Sequence, residues 1–562
     1  MTEPLPDLET TDDQPQDAHV PRRWFLNRFA WVTTAAATGT LLLTHPVAAT
    51  ATSRARPPSE DSYADVPSRP PADLTELTLA QLATYVRRGT VTPADLVHAY
   101  VDRIETFDGA YQAYKDRPSR AELLALAERR PPRGSTWILR GAGLAPKDNF
   151  YTADLLTEGG SAVYEGFRPE YDGTAVRLLR EAGGLVLGKA TMGPLAGGRA
   201  TVYGTTIPTT RNAWTPDDVR YSPGGSSSGP ATAVAARLAT AGIGTQTGGS
   251  ITGPGQAQGL TCLKPTFGRT SLHGVIPLTF TRDHVGPMCR DAKDAAIMLQ
   301  VLARPDPADP RTLGLPAAPD YARAATPLGS PRRPRLRWRT RIGYFPGWLT
   351  SNDAHANQLR QAALDAIGRL GGAELVGEVT LPEDWDALTS NPLGGSYAEP
   401  TAAFIEQLRA DVRPFAQRLP RFLNGMLQSG DTYLRVQQAR YLLAQRMLTQ
   451  LFDQCDVVFT TDTGAFDGPG FPLICFPIGF GTEPQTGLTV PRGAQLAARP
   501  FGEERLLAVA AAYQAVTDFH TVRPPDPSTS AAAAAPRTTP GRLAAASVVS
   551  IEALDAPDTS RQ

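Results

Sequence analysis

Cysteine is scarce. The 562 residues carry four, Cys262, Cys289, Cys455 and Cys475, and none forms a Cys-x-x-Cys pair. That excludes a disulfide-built scaffold and a zinc ribbon, leaving isolated bridges or buried thiols as alternatives. The seven histidines are scattered without metal-ligand spacing, so no metal site is expected. Net charge is nearly absent, at −1, which argues against electrostatic capture of nucleic acid or an anionic membrane surface. Beyond residue 51 no apolar run is long enough to span a bilayer. What remains is a chain that is 41% hydrophobic and long enough to bury a substantial core.

The first 20 residues are acidic and polar, and Pro21-Arg22-Arg23-Trp24-Phe25-Leu26 follows. Paired arginines, a modest apolar stretch from Phe29 to Leu43, and small residues at Val47-Ala-Ala-Thr-Ala51 resemble a twin-arginine export signal. The resemblance implies transient engagement of the twin-arginine export machinery and an exported protein, extracellular or in the cell envelope. An uncleaved segment would act as an anchor. The alternative is an ordinary basic patch before an alanine-rich linker. We therefore divide the chain into an export signal (1–51), a disordered linker (52–72), one enzymatic domain (73–523) and a disordered Pro/Ala/Ser/Thr-rich tail (524–562).

From Asp73 the pattern turns helical, with Leu74, Leu77, Leu82 and Val86 on one face and a break at Gly89. Thr92-Pro93 starts a second helix, with Leu96, Val97, Tyr100, Val101 and Ile104 spaced for burial. Thr174–Ala182 reads as a helix stopped by Gly183-Gly184, and Leu185-Val186-Leu187 as a buried strand. Pro230 suits the first turn of a helix through 231–241. Such alternation predicts an α/β fold, a mixed sheet covered by helices. The Pro/Arg-rich stretch 304–340 reads as a surface crossover. The aromatics of 385–450 (Trp385, Tyr397, Phe404, Phe415, Phe422, Tyr433, Tyr441) read either as pocket lining or as core packing.

The chemistry is concentrated in Tyr221-Ser-Pro-Gly-Gly-Ser226-Ser-Ser-Gly-Pro230 and Thr245-Gln-Thr-Gly-Gly-Ser250-Ile-Thr-Gly-Pro254, with a lysine upstream in Leu144-Ala-Pro-Lys147-Asp-Asn-Phe150. A serine on a glycine-rich turn can be approached closely by substrate, and consecutive backbone amides there can hold developing negative charge. A desolvated, neutral lysine can serve as its base. Taken singly, each is bland: Gly-Gly-Ser turns are common, and a lone lysine is nearly always a solvated charge. His284 tempts toward a Ser-His pair, but it reads better as a structural histidine.

In order along the chain, further segments accompany these: Asp172-Gly-Thr-Ala-Val-Arg, Arg211-Asn-Ala-Trp214, Gly259-Leu-Thr-Cys-Leu-Lys-Pro-Thr-Phe-Gly-Arg269, Asp283-His-Val-Gly-Pro287 and Gly493-Ala-Gln-Leu-Ala-Ala-Arg-Pro-Phe-Gly-Glu-Glu-Arg505. Together they resemble the amidase signature enzymes over roughly residues 73 to 520. The resemblance implies a single α/β domain and a Ser–Ser–Lys triad that hydrolyses a small-molecule carboxylic amide. Ser250 matches the nucleophile. Ser226, after a cis peptide bond that glycine at 225 would accommodate, matches the proton relay, with Ser227 and Ser228 as lesser candidates. Lys147 matches the base, and the amides of Thr247, Gly248 and Gly249 the oxyanion hole. No cofactor is implied.

Three departures bear on the site. Gln246 and Thr252 stand where many members carry aspartate and arginine, so a probable charge pair is lost without leaving an orphan charge. Gly193-Pro194-Leu195 replaces residues that are often polar or acidic. The segment 385–450 is the part that varies among amidases and lines the acyl pocket, and neutral residues near the nucleophile suggest an uncharged or apolar acyl group. An esterase or carbamate hydrolase, a non-catalytic binding protein, and a component of a transamidase working on charged tRNA are the alternatives carried forward.

Overall fold

The computed structural model describes residues 59–129, 137–202, 205–389, 397–484 and 486–528. The export-signal segment 1–51 and the tail from 529 lie outside the described residues. Four short strands carry the site: β1 (Gly143–Pro146), β2 (Ala241–Gln246), β3 (Thr261–Lys264) and β4 (His284–Cys289). Every residue of the four is buried. Burial on both faces removes the apolar–polar alternation of a half-exposed strand. β1 pairs parallel to β2, β2 antiparallel to β4, and β4 antiparallel to β3. The sheet continues past β3 through Leu473–Thr482, Thr489–Ala498, Val457–Phe459, Arg333–Tyr344 and Gly371–Glu378, and past β1 to Leu185–Val186, with Leu328–Ser330 on Arg333–Tyr344. It is a mixed 11-stranded sheet flanked by helices.

The domain reaches beyond its expected limits of 73 and 523. Residues 59–72, read as linker, pack on the core: Val66 is buried, Tyr85 Oη donates to the Arg69 carbonyl (3.0 Å), and Ala64 N–H donates to Thr84 Oγ1 (3.0 Å). At the other end Asp526 pairs with Arg523 at 2.9 Å and with Arg103. Low complexity concealed these anchors, each of which is a single residue in a polar context.

The first helix begins later than the apolar spacing suggested. Leu74–Glu76 form a 3-10 turn, and the α-helix runs Leu79–Arg88. Thr78 fixes that start. Its hydroxyl accepts from Gln81 N–H while the Gln81 side chain accepts from Thr78 N–H, a capping box that satisfies two orphan donors. Pro93–Tyr111 is helical as expected, with the five predicted positions buried. The helix at Pro230 is shorter than expected, Ser228–Ala235, because Arg237 takes a left-handed conformation and residue 241 already belongs to β2.

The Pro/Arg-rich stretch is no mere crossover. Arg333–Tyr344 is a strand in which Pro334, Leu336, Thr340 and Ile342 face inward while Arg333, Arg335 and Arg339 face out. The period of two was present, masked by charge. The four cysteines are free and buried. Among the described residues no helix is long and apolar enough to cross a membrane, and no group of His, Cys, Asp or Glu is placed to hold a metal ion.

Replacing Thr78 by alanine removes the cap, and the expected loss is about 1 kcal/mol of stability. A lowered midpoint of thermal or urea unfolding relative to the parent chain checks this.

Candidate active site

Lys147 follows β1 directly. Its backbone N–H donates to the Ile243 carbonyl of β2 (3.1 Å), which extends the β1–β2 pairing and aims the side chain along the sheet. The amine is fully buried. Its nitrogen lies 2.7 Å from Ser226 Oγ, 2.8 Å from Thr245 Oγ1 and 3.3 Å from the Thr245 carbonyl. Asn149 Nδ2 donates to the same Thr245 hydroxyl at 3.1 Å. Burial pulls the Lys147 pKa down to about 7, against a weaker opposing pull from the Asp283 carboxylate. Lys147 therefore exchanges a proton near neutrality, with a serine hydroxyl as its immediate partner.

Ser226 is also fully buried, at the end of the turn that leads into the Ser228–Ala235 helix. The Gly225–Ser226 peptide is cis. Glycine at 225 is required by close approach, since a Cβ there would sit 2.3 Å from the Gly198 carbonyl oxygen. The neighbouring serines point elsewhere: Ser227 Oγ donates to the Thr245 carbonyl (3.4 Å), and Ser228 Oγ to the Gly224 carbonyl (2.6 Å).

The turn from Thr247 to Ile251 leaves the end of β2, and Ser250 on it is half-buried at a cavity of about 250 Å³. Gly249 has a φ of +81°, which glycine adopts without a steric penalty. The Gln246 side chain closes the turn from within. Its oxygen accepts from the backbone amides of Ile251 (2.8 Å) and Thr252 (2.9 Å) and from the Thr252 hydroxyl (3.4 Å). Its nitrogen donates to both oxygens of Asp467, at 2.8 and 3.0 Å. A second carboxylate, Asp283, accepts from Thr247 Oγ1 at 2.6 Å and gathers Leu278 N–H, Thr279 N–H and Thr279 Oγ1.

One expected donor is otherwise engaged. Gly249 N–H donates to Asp467 Oδ2 at 2.8 Å. A carboxylate is a stronger acceptor than a substrate carbonyl, so this amide is withdrawn from the expected oxyanion hole. Asp467 in turn pairs with the buried Lys264 at 3.3 Å. Sequence reasoning missed Asp467, Thr245 and Asn149. Asp467 stands in Ala465-Phe466-Asp467-Gly468, more than two hundred positions beyond the turn it supports, with no spacing that ties it to Ser250. His284 is buried, its Nδ1 lies 3.2 Å from the Gln246 carbonyl, and burial drives its pKa well below the ordinary range. It packs edge-on against Phe267 and contacts none of Lys147, Ser226 or Ser250.

Residues 95–466 match the family described as Amidase. The chain belongs to the amidase family. It is 32% identical over 503 residues to a glutamyl-tRNA(Gln) amidotransferase subunit from Geobacter metallireducens, covering 80% of this chain and 99% of the relative. The protein of that name from Roseiflexus castenholzii is 34% identical over 507 residues, with 80% and 98% covered. Among solved structures, the native peptide amidase of Stenotrophomonas maltophilia superposes with a TM-score of 0.68 at 29% identity, over 80% of this chain and 98% of that one. The amidase fold accounts for the mixed sheet.

The titration of Lys147 is directly measurable. In protein labelled with carbon-13 at lysine Cε, one resonance, absent from Lys147→Met, is expected to titrate near pH 7. A Lys147 signal moving only in the ordinary range, near about 10.4, would remove this residue as a base at neutral pH.

Proposed function

We propose that this protein hydrolyses a carboxylic amide to the acid and an amine or ammonia through an acyl-enzyme on Ser250. The observation that carries the reading is the 2.7 Å contact between Ser226 Oγ and a buried lysine whose pKa has fallen to about 7. Neutral Lys147 takes the Ser226 proton as Ser226 takes that of Ser250, and Ser250 Oγ attacks the amide carbonyl. The oxyanion is received by the amides of Thr247 and Gly248. Each such donor is typically worth about 3–4 kcal/mol in the transition state. The proton returns through Ser226 to the leaving nitrogen, and the C–N bond breaks. Water, deprotonated along the same path, then attacks the ester, releasing the acid and restoring the Ser250 hydroxyl. An ester or carbamate can enter the same sequence with an easier leaving group.

The names of the amidotransferase relatives favour a second reading, in which ammonia released at the site is passed on to charged tRNA. Against it stand the formal net charge of −1 and the paired arginines Arg22 and Arg23 ahead of an apolar stretch. We propose export by that segment. Double replacement by lysine at 22 and 23 is expected to retain the protein in the cytoplasm, read by immunoblot of culture and cell fractions. Equal export of the variant would refute the twin-arginine route.

Aryl and alkyl amides with matched esters, offered to the parent protein and to Ser250→Ala, test the chemistry. Amide turnover is expected in the parent and a fall on the order of 10³-fold or more in the variant. It should decline as pH drops below about 7, where Lys147 takes up its proton. Ester turnover alone would assign the esterase. Absence of both turnover and fluorophosphonate labelling at Ser250 would make the protein a non-catalytic scaffold.

A further inference from the structure

The cavity beside Ser250 is lined by Ala196, Gly197 and Gly198 together with Leu278, Arg282 and Arg421. The first three belong to the loop 193–198, which also meets the turn that carries Ser226. Gly193 N–H donates to the Ser226 carbonyl at 3.0 Å. The Gly198 carbonyl oxygen is wedged between two glycines. A Cβ at Gly193 would lie 1.9 Å from it, and one at Gly225 would lie 2.3 Å from it. Just beyond the loop, Ala200 N–H donates to Ser228 Oγ at 3.2 Å. The loop thus backs the turn 224–228, and most of that contact is backbone on backbone.

The loop is strained. Leu195 and Ala196 both have positive φ, 46° and 60°. Residues with a Cβ enter that region at a cost and stay there only when their surroundings impose it. Here the imposing contacts come from the 3-10 turn Arg413–Arg418, which precedes the helix Leu419–Leu427. Leu195 belongs to the buried cluster that includes Phe415. The Arg418 guanidinium donates to the Gly197 carbonyl. It also fills the space that side chains at 197 and 198 would take. A Cβ at Gly197 would lie 2.9 Å from Nη1, and one at Gly198 would lie 2.8 Å from Nη2. A planar guanidinium presents its donors in fixed directions, so it can set where a carbonyl stands.

We propose that Arg418 is a positioning residue for the proton exchange between Ser226 and Lys147. By fixing the Gly197 carbonyl it fixes the loop. The loop in turn fixes the Ser226 backbone through Gly193 N–H and the wedged Gly198 carbonyl. Ser226 Oγ is thereby kept 2.7 Å from the Lys147 amine. The inference rests on the amide-hydrolase reading for what that exchange accomplishes, and on the contacts alone for its geometry.

Two readouts that need no turnover test it. The first is the carbon-13 titration of Lys147, whose amine faces Ser226 and Thr245 and feels the charge of Asp283. In Arg418→Met the midpoint is expected to rise from about 7 by about half a pH unit or more, as the loop loosens and water reaches the amine. Gly197→Ala should do the same while keeping the cation. The φ of −113° at 197 suits any residue, and the atoms nearest the added methyl are those of Arg418. Arg418→Lys should restore part of the parent behaviour. The second readout is the rate of fluorophosphonate labelling at Ser250, expected to fall about tenfold or more in Arg418→Met and Gly197→Ala. With an amide substrate, the loss in Arg418→Met should appear in kcat, with KM little changed. Melting transitions check folding, and if Arg418→Met does not fold, Gly197→Ala decides. An unmoved midpoint with an unchanged labelling rate in folded variants overturns the inference, as does a loss confined to KM. So does a midpoint that moves in Arg418→Met but not in Gly197→Ala, because removal of a charge then suffices. If the parent neither labels nor turns over amides, a midpoint shifted in both variants keeps the positioning role and discards the hydrolase.

Discussion

The site depends on one constraint, a lysine amine taken out of water without a carboxylate in contact with it. Lys147, Lys189 and Lys264 are all fully buried. Lys189 lies 3.9 Å from Asp148 and Lys264 lies 3.3 Å from Asp467, so those two are structural ion pairs. Lys147 lies instead against a serine hydroxyl and the hydroxyl and carbonyl of Thr245. Nζ donates to Ser226 Oγ, Thr245 Oγ1 and the Thr245 carbonyl, and in the ammonium form it carries a desolvation cost of several kcal/mol with no carboxylate in contact to offset it. The sheet enforces the arrangement. Pro146 sits opposite Ile243 in the parallel pair, which brings the Lys147 side chain within reach of Thr245, and a slip of one residue would turn the amine to the other face.

The Ser250 turn is held by a different set of groups. A buried carboxylate, Asp467, stands beside Gln246. Gln246 suits that neighbour because an amide both accepts and donates. Its oxygen gathers the Ile251 and Thr252 amides, and its nitrogen hands the turn on to Asp467. An aspartate at 246 would face the Asp467 carboxylate with no proton between them. The turn is tied down by a chain of contacts, Thr252–Gln246–Asp467–Lys264, which also engages the Gly249 amide expected as an oxyanion donor.

Much of this was legible in the sequence because it is written locally. The two glycine-flanked serines, the lysine after β1 and the capped helices all announce themselves within ten residues, where turn chemistry and period carry the signal. The Pro230 helix was overrun because alanine favours helix and nothing local marks the left-handed Arg237. The strand Arg333–Tyr344 was hidden by arginines on its outer face. Contacts between distant elements were not legible at all. Asp467 to Gly249 and Gln246, Asp283 to Thr247, and the arginines of the cavity become neighbours only when β2, β4 and the C-terminal half are assembled.

Of the two readings of the aromatics of 385–450, core packing is the one that Phe404, Phe415 and Phe422 follow. Phe404, Phe415 and Phe422 do not line the cavity. They form an edge-to-face cluster, with centroids 4.9 Å apart for Phe415–Phe422 and 5.5 Å for Phe404–Phe422. Leu195, Ile276 and Leu408 complete it. Three stretches of the cavity lining adjoin this cluster. Leu195 precedes Ala196, Gly197 and Gly198, Ile276 precedes the turn that presents Leu278 and Arg282, and Phe422 follows Arg421 on the same helix. The cluster thus lies behind the stretches that carry Ala196, Leu278 and Arg421, while the sheet fixes where Lys147 stands. The Lys147–Ser226 contact and the helical segment beside the cavity rest on separate groups of side chains.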